Sequence, residues 1–259
     1  MKIRNFLAAL AAGAALVGCV STRSISNSGQ PESDAATYPT RDGGSDPAFA
    51  YRGELSEFDV LGVSRDQTAF DEDIQQALAS AKSVRLKFRS IVLLIQSGAL
   101  FPDNSMVDGL SQHYRVVPFS GVPPRGTAAD DAIGNSNLSK SLRLAAARAG
   151  AETIVCYWGI LESAREKIAT KTVSWVPVVG WFVPDERQHM RIRLKLALID
   201  VRTGNWSVLS PPAFDSKALT VSPRRAVADQ KLVERLKQRA YSAAVQELVN
   251  EYGNLASTQ

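Results

Sequence analysis

The side chains that hydrolytic, redox or metal chemistry draws on are few here: two histidines and two cysteines in 259 residues. His113 stands beside Tyr114 near the end of a helical stretch, where a surface or capping role is the ordinary reading, and His189 opens a strand in a charged patch. Neither belongs to a His-x-x-x-His or paired-cysteine spacing, the arrangements that turn several ligands toward one zinc ion. Ser97, in Gln96-Ser97-Gly98, follows a strand-like run but lacks the preceding glycine of a nucleophile elbow. Cys156 lies within Thr-Ile-Val-Cys-Tyr-Trp-Gly-Ile, an apolar run that makes it a buried core thiol rather than a nucleophile. The acidic pairs Asp71/Asp73 and Asp130/Asp131 fall at a helix start and in a loop, where solvated carboxylates are expected. The dinucleotide pattern Gly-x-Gly-x-x-Gly is absent. The sequence therefore assigns no catalytic, cofactor-binding or metal-ligating residue and reads as no enzyme. The competing reading is a peptidase-like hydrolase using Ser97 or His113 at the carboxyl end of the first strand.

The other cysteine has a different context. Lys2 and Arg4 precede an almost wholly apolar run from Phe6 to Val17. That run is shorter than the ~20 residues a membrane-spanning helix requires and suits the core of an export signal, for which ~7–15 suffice. Leu16-Val17-Gly18-Cys19 follows at its end and resembles the bacterial lipobox. The resemblance implies a signal peptide over 1–18, a thioether-linked diacylglycerol on Cys19, cleavage before it, and a further palmitate-type chain on the new amino group. Several chains make a durable bilayer anchor where one does not. Val20 takes the place that an aspartate holds in enterobacterial lipoproteins retained at the inner membrane. The resemblance thus implies the outer membrane, with the domain in the periplasm.

Composition adds limits. Lys2 and Arg4 supply two of the 30 basic residues, so the mature chain is within two charges of balance with its 26 acidic ones. Neither that balance nor export suggests nucleic acid as a partner. With Cys19 spent on lipid, Cys156 has no disulfide partner within the chain. Residues 19–50 are polar and Gly-rich and read as a flexible tether, with an r.m.s. reach of ~30 Å. Residues 51–259, roughly 210 of them, suit one domain with an elaboration.

The elements that must carry any site follow from periodicity. Phe58 to Val63 is a short apolar lead-in. Thr68 with Asp71 resembles a helix-start box, and Ile74, Leu78 and Ala81 continue at helical spacing, giving a helix from about Phe70 to Lys82. Ile91-Val-Leu-Leu-Ile is a continuous apolar strand of the kind buried on both faces. A short helix through Met106, Val107 and Leu110 leads into a strand at Arg115, and Ser120 to Asn137 reads as an irregular loop. Leu138 to Ala149 is a helix with Leu138, Leu142, Ala145 and Ala149 on one face, ended by Gly150. Thr153 to Leu161 is a strand. Met190 to Asp200 alternates cleanly: Arg191, Arg193 and Lys195 share one face, Ile192, Leu194, Leu196 and Leu198 the other, as in an antiparallel strand with one wet side. Thr203-Gly204-Asn205 turns into a returning strand at Trp206. Arg224 to Tyr252 is a long helix with Val233, Leu236, Ala240, Ala243 and Leu248 as its stripe. The fold class is α/β (α+β): a mixed three-layer sheet with an antiparallel hairpin extension and a long carboxyl-terminal helix.

Three stretches also resemble a known domain: Ile91 to Ile95, Met106 to Val117 as helix into strand, and Leu142 to Ile154 repeating that logic. With the hairpin Arg191 to Trp206, they resemble the α/β domain of the curli-secretion channel lipoprotein, of lipoprotein activators of penicillin-binding proteins, and of the TolB amino-terminal type. The resemblance implies a protein that binds partners, scaffolds or oligomerises.

The departure from those relatives is an insertion over 162–188, expected to be a β-ribbon of Leu161–Thr172 and Arg187–Leu198. Its tip reads Val-Ser-Trp-Val-Pro-Val-Val-Gly-Trp-Phe-Val-Pro. Pro177 and Pro184 exclude a regular helix. Trp175, Val178, Trp181 and Phe182 suit three roles: cover for the protein's own core, a contact for another protein, or an insertion at the bilayer interface, where tryptophan is favoured. The row Arg191, Arg193 and Lys195 is a second, weaker candidate, facing an anionic partner or only water. The expectation is a non-catalytic binding or assembly factor of the cell envelope, with an envelope protein and the lipid bilayer as partners. The further alternative is a homo-oligomeric secretion or channel component.

Overall fold

The computed structural model describes residues 20–27, 53–63, 70–123, 131–167, 186–220 and 225–253. Among them run seven strands and five α-helices. In chain order these are β1 (Val20–Ser24), α1 (Glu57–Leu61), α2 (Asp71–Ser80), β2 (Ile91–Gln96), α3 (Asn104–Ser111), β3 (Arg115–Phe119), α4 (Asp131–Arg148), β4 (Thr153–Lys167), β5 (Glu186–Asp200), β6 (Trp206–Leu209), β7 (Phe214–Thr220) and α5 (Arg225–Tyr252). All seven strands form one mixed sheet, ordered β3-β2-β4-β5-β6, with β1 added to β4 and β7 to β5. β2 is parallel to both β3 and β4, and the remaining pairs are antiparallel. The class is the one expected from the pattern.

Three layers follow from the alternation of side chains. Val92, Leu94, Val155, Tyr157, Leu196 and Leu198 turn to one face and form a core with Met106 and Leu110 of α3 and Leu236, Ala240, Tyr241 and Leu248 of α5. Leu93, Ile95, Ile154, Cys156, Ala197 and Ile199 turn to the other and pack with Val60 and Leu61 of α1 and Leu142 and Ala146 of α4. β2 is apolar from Ile91 to Ile95 because both its faces are covered. α4 ends where Gly150 adopts φ +73°, a left-handed conformation that costs glycine little, and the N–H of Ala151 closes back on the Ala146 carbonyl at 2.8 Å.

Several local expectations need correction. α4 starts at Asp131, not after Asn137, so packing of its later turns overrides the weak propensities of Gly134, Asn135 and Asn137. From Leu138 onward its buried positions are Ser139, Leu142 and Ala146, while Ala149, just past its end, is exposed. On α5 the buried residue is Ala244 rather than Ala243. α2 is capped by Asp73, whose carboxylate accepts the Phe70 N–H at 3.1 Å, and Thr68 lies outside the described residues.

The largest change concerns the amino-terminal segment. Residues 19–50 were expected to be one continuous tether, yet Val20–Ser24 is a strand paired antiparallel with Ile160–Ala164. A single 3-10 turn, Ile25–Asn27, follows, and Ile25 is 1% exposed. The reason lies far along the chain. Gly159 leaves a gap in β4 that Ile25 fills: a Cβ at Gly159 would stand 2.6 Å from Ile25 Cδ1. Residues 28–50 of the expected tether lie outside the described residues.

Candidate functional site

β4 and β5 are each 15 residues long and outrun the helices on one side of the sheet. As far as Cys156 and Ala197 that face is covered by α1 and α4. Beyond, it opens, and the register sets Trp158 opposite Lys195, Ile160 opposite Arg193 and Glu162 opposite Arg191. Leu55, just before α1, and Glu57, its first residue, form one wall, and Ser210, Pro211 and Ala213, between β6 and β7, form the other. The result is an open groove of about 450 Å³ with an apolar floor.

Hydrogen bonds fix its wall. The indole Nε1–H of Trp158 donates to the Leu55 carbonyl at 2.8 Å, and the Leu55 N–H donates to Ser97 Oγ at 2.8 Å. Trp158 is thus held half-buried with its ring against the groove. The charges around it are paired. Lys195 Nζ lies 2.8 Å from Glu57, Arg193 bonds Glu162, and Arg191 Nε donates to Asp215 at 2.6 Å. The hydrogen bond to Asp215 raises the pKa of the Arg191 guanidinium. The expected row of three cations is real as a wet face, but each member already faces a carboxylate. It is not a bare anion-binding strip, because acidic residues on α1, β4 and β7 neutralise it from three sides.

The carboxyl ends of parallel strands are where open α/β sheets hold ligands, and here that place is filled. Gln96 Nε2–H donates to Ser26 Oγ at 3.0 Å, and Ser26 donates to the Ser97 carbonyl at 2.6 Å, so the 3-10 turn caps β2. Gln96 Oε1 accepts from Tyr157 and from the Asp103 N–H, while the Asp103 carboxylate accepts from Tyr241 and Lys237. Burial pushes both tyrosines well above their ordinary pKa, so they remain protonated donors. The network ties the amino-terminal segment to α3 and α5.

Ser97 and His113, the two positions the hydrolase alternative drew on, are not brought together. Ser97 follows β2, whereas the His113 carbonyl accepts from Arg89, just before β2. The two residues flank opposite ends of a six-residue strand, roughly 20 Å apart. Ser97 is buried and engaged with Leu55. His189 pairs in register with Ala164 and Lys217 on the extension. Cys156 is buried and unbridged. Among the described residues no cluster of His, Cys, Asp or Glu suits a metal ion, and no helix is long and apolar enough to cross a membrane. Cys19, Asp130 and Trp175, Val178, Trp181 and Phe182 lie outside the described residues. Sequence reasoning missed Trp158, Leu55, Glu57 and Pro211. The only local signal was Trp158, an indole that needs a partner for its N–H within an otherwise apolar strand.

No curated protein matches the chain. Among solved structures, the hypothetical protein CT253 from Chlamydia trachomatis is similar at 12% identity, over 63% of this chain and 97% of that one, with a TM-score of 0.28. The model of a bacterial lipoprotein family, YafT, matches residues 56–251, which span the fold from α1 to the last turn of α5. This match supports the lipoprotein resemblance and does not extend to the narrower likeness to curli-secretion, penicillin-binding-protein-activator or TolB-type domains. The chain belongs to the YafT family of bacterial lipoproteins.

Proposed function

We propose that this lipoprotein is acylated on Cys19, sits in the outer membrane with its domain in the periplasm, and acts as a non-catalytic binding or assembly factor. The observation that carries the binding role is the open groove over Trp158. Its floor of Trp158 and Ile160, with Leu55 on one wall, offers apolar area, and its rim carries pre-paired charges of both signs. Such a surface suits a protein segment of mixed character better than a strongly anionic ligand, since an anion would have to displace Glu57 or Glu162. Tryptophan and arginine are enriched among residues that dominate protein interfaces. The outer-membrane assignment rests on Val20 in the sorting position, and the contact expected of Trp175, Val178, Trp181 and Phe182 remains part of this proposal.

Site-specific photocrosslinking in cells tests it. A photoreactive residue at Ser210 or Lys195 should give a discrete adduct with an envelope protein, and one at Arg148 on α4 should not. An adduct at twice the chain's own mass would shift the reading to the homo-oligomeric alternative. The absence of any groove-specific adduct would refute the binding role.

A further inference from the structure

We infer that the protein stands on the membrane with the β4–β5 ribbon end of its sheet against the bilayer and its strands pointing away. This rests on the acylation of Cys19 proposed above and adds the face that meets the lipid. Cys19 immediately precedes β1, and β1 is bound into the sheet from its first residue, Val20, which pairs with Ala164. No free spacer therefore separates the lipidated residue from the fold. β1 runs antiparallel to β4, so its amino end points the way β4 travels, toward Lys167.

The same end of the sheet collects the end of β4 at Lys167, the start of β5 at Glu186 and the end of β7 at Thr220, with Lys167 and Thr220 both in register with Glu186. The ribbon overhangs Val20 by the three residues from Ala164 to Lys167, about 10 Å at the rise of a strand. The polar interface of one leaflet is roughly 5–8 Å deep. With acyl chains on Cys19 seated in the hydrocarbon, the ribbon end reaches the headgroup layer. The other end of β5 is roughly 45 Å away, at Asp200 and the turn through Thr203. Trp158, six residues from Ala164, puts the groove roughly 20 Å above the ribbon's point of pairing with Val20.

The experiment uses the full lipoprotein, purified and reconstituted into phosphatidylethanolamine–phosphatidylglycerol vesicles that carry headgroup spin-labelled lipid. A fluorescent thiol probe is placed by Thr220→Cys in one variant and Thr203→Cys in another. Cys156 is buried and takes no probe in the folded protein. Metabolic labelling with a fatty-acid analogue, compared with Cys19→Ser, reports acylation separately. The expected result is acylated protein that loses fluorescence at Thr220 and keeps it at Thr203. Acylated protein with equal quenching at both positions, or stronger quenching at Thr203, overturns the orientation and leaves the lipoprotein reading standing. Protein that takes no acyl label at Cys19 overturns both.

Discussion

The sheet has two halves built from the same two strands. In one, Ile154, Cys156, Ala197 and Ile199 lie under α1 and α4 while their neighbours lie under α5 and α3, so both faces are dry. In the other, β4 and β5 continue with the same pairing, α5 still covers the face of Leu161, Ile192 and Leu194, and the opposite face carries Glu162, Arg191 and Arg193. The change from Ala197 to Lys195 marks, within one side-chain step, where the second helical layer ends. Residue type therefore records how far each helix reaches, and the groove lies at that boundary.

Truncating side chains in each half sharpens the contrast. Leu94→Ala, between two helical layers, should cost toward the top of about 2–5 kcal/mol in urea unfolding. Ile25→Ala, equally buried but on a peripheral turn that can relax, should fall near the bottom of that range. It should also speed amide exchange over Val20–Asn27. If the costs came out reversed, the doubly covered half would not be the stability centre.

A pH series probes the dry half alone. Burial, aided by the charge of Glu54, holds the Cys156 thiol above its ordinary pKa. In the unfolded chain the thiol ionises near about 8.5, so its contribution is whole below that pH and is lost as pH rises past it. The loss is about 1.4 kcal/mol per unit. Tyr157 and Tyr241 should extend the decline above about 10. Cys156→Ala should abolish the earlier part of the decline and leave the later one. A wild-type profile flat from neutral to about 10 would contradict the buried-thiol assignment.

The smallest effect belongs to the wet face. Lys195→Ala removes a partly exposed pair with Glu57, and such pairs contribute about 0.2–1 kcal/mol. A larger loss would mean that Lys195 anchors α1 rather than edging an open groove.

These differences also explain what the sequence could say. β2 and β5 were legible because their burial is written locally, as a continuous apolar run in Ile91–Ile95 and as alternation in Met190–Asp200. β1 was not. Val-Ser-Thr-Arg-Ser has the composition of a tether, and its strand state depends on a partner about 140 residues away and on the gap at Gly159. β7, Phe-Asp-Ser-Lys-Ala-Leu-Thr, was missed because its pairing with β5 is equally non-local. The groove joins the start of α1, two central strands and the link from β6 to β7, so no single stretch of sequence announces it. The row of Arg191, Arg193 and Lys195 was visible, while Glu57, Glu162 and Asp215, which neutralise it, come from three other elements.

The pairing of β1 with β4 has a mechanical side. Backbone hydrogen bonds between antiparallel strands lie across the strand direction. A tug on Cys19 along the line of β1 would therefore load the whole Val20–Ser24 ladder in shear, all its bonds together, rather than peel them one by one. With Cys19 acylated as proposed, the adjacent strand would serve as a clamp, passing strain from the membrane into the longest strands of the sheet.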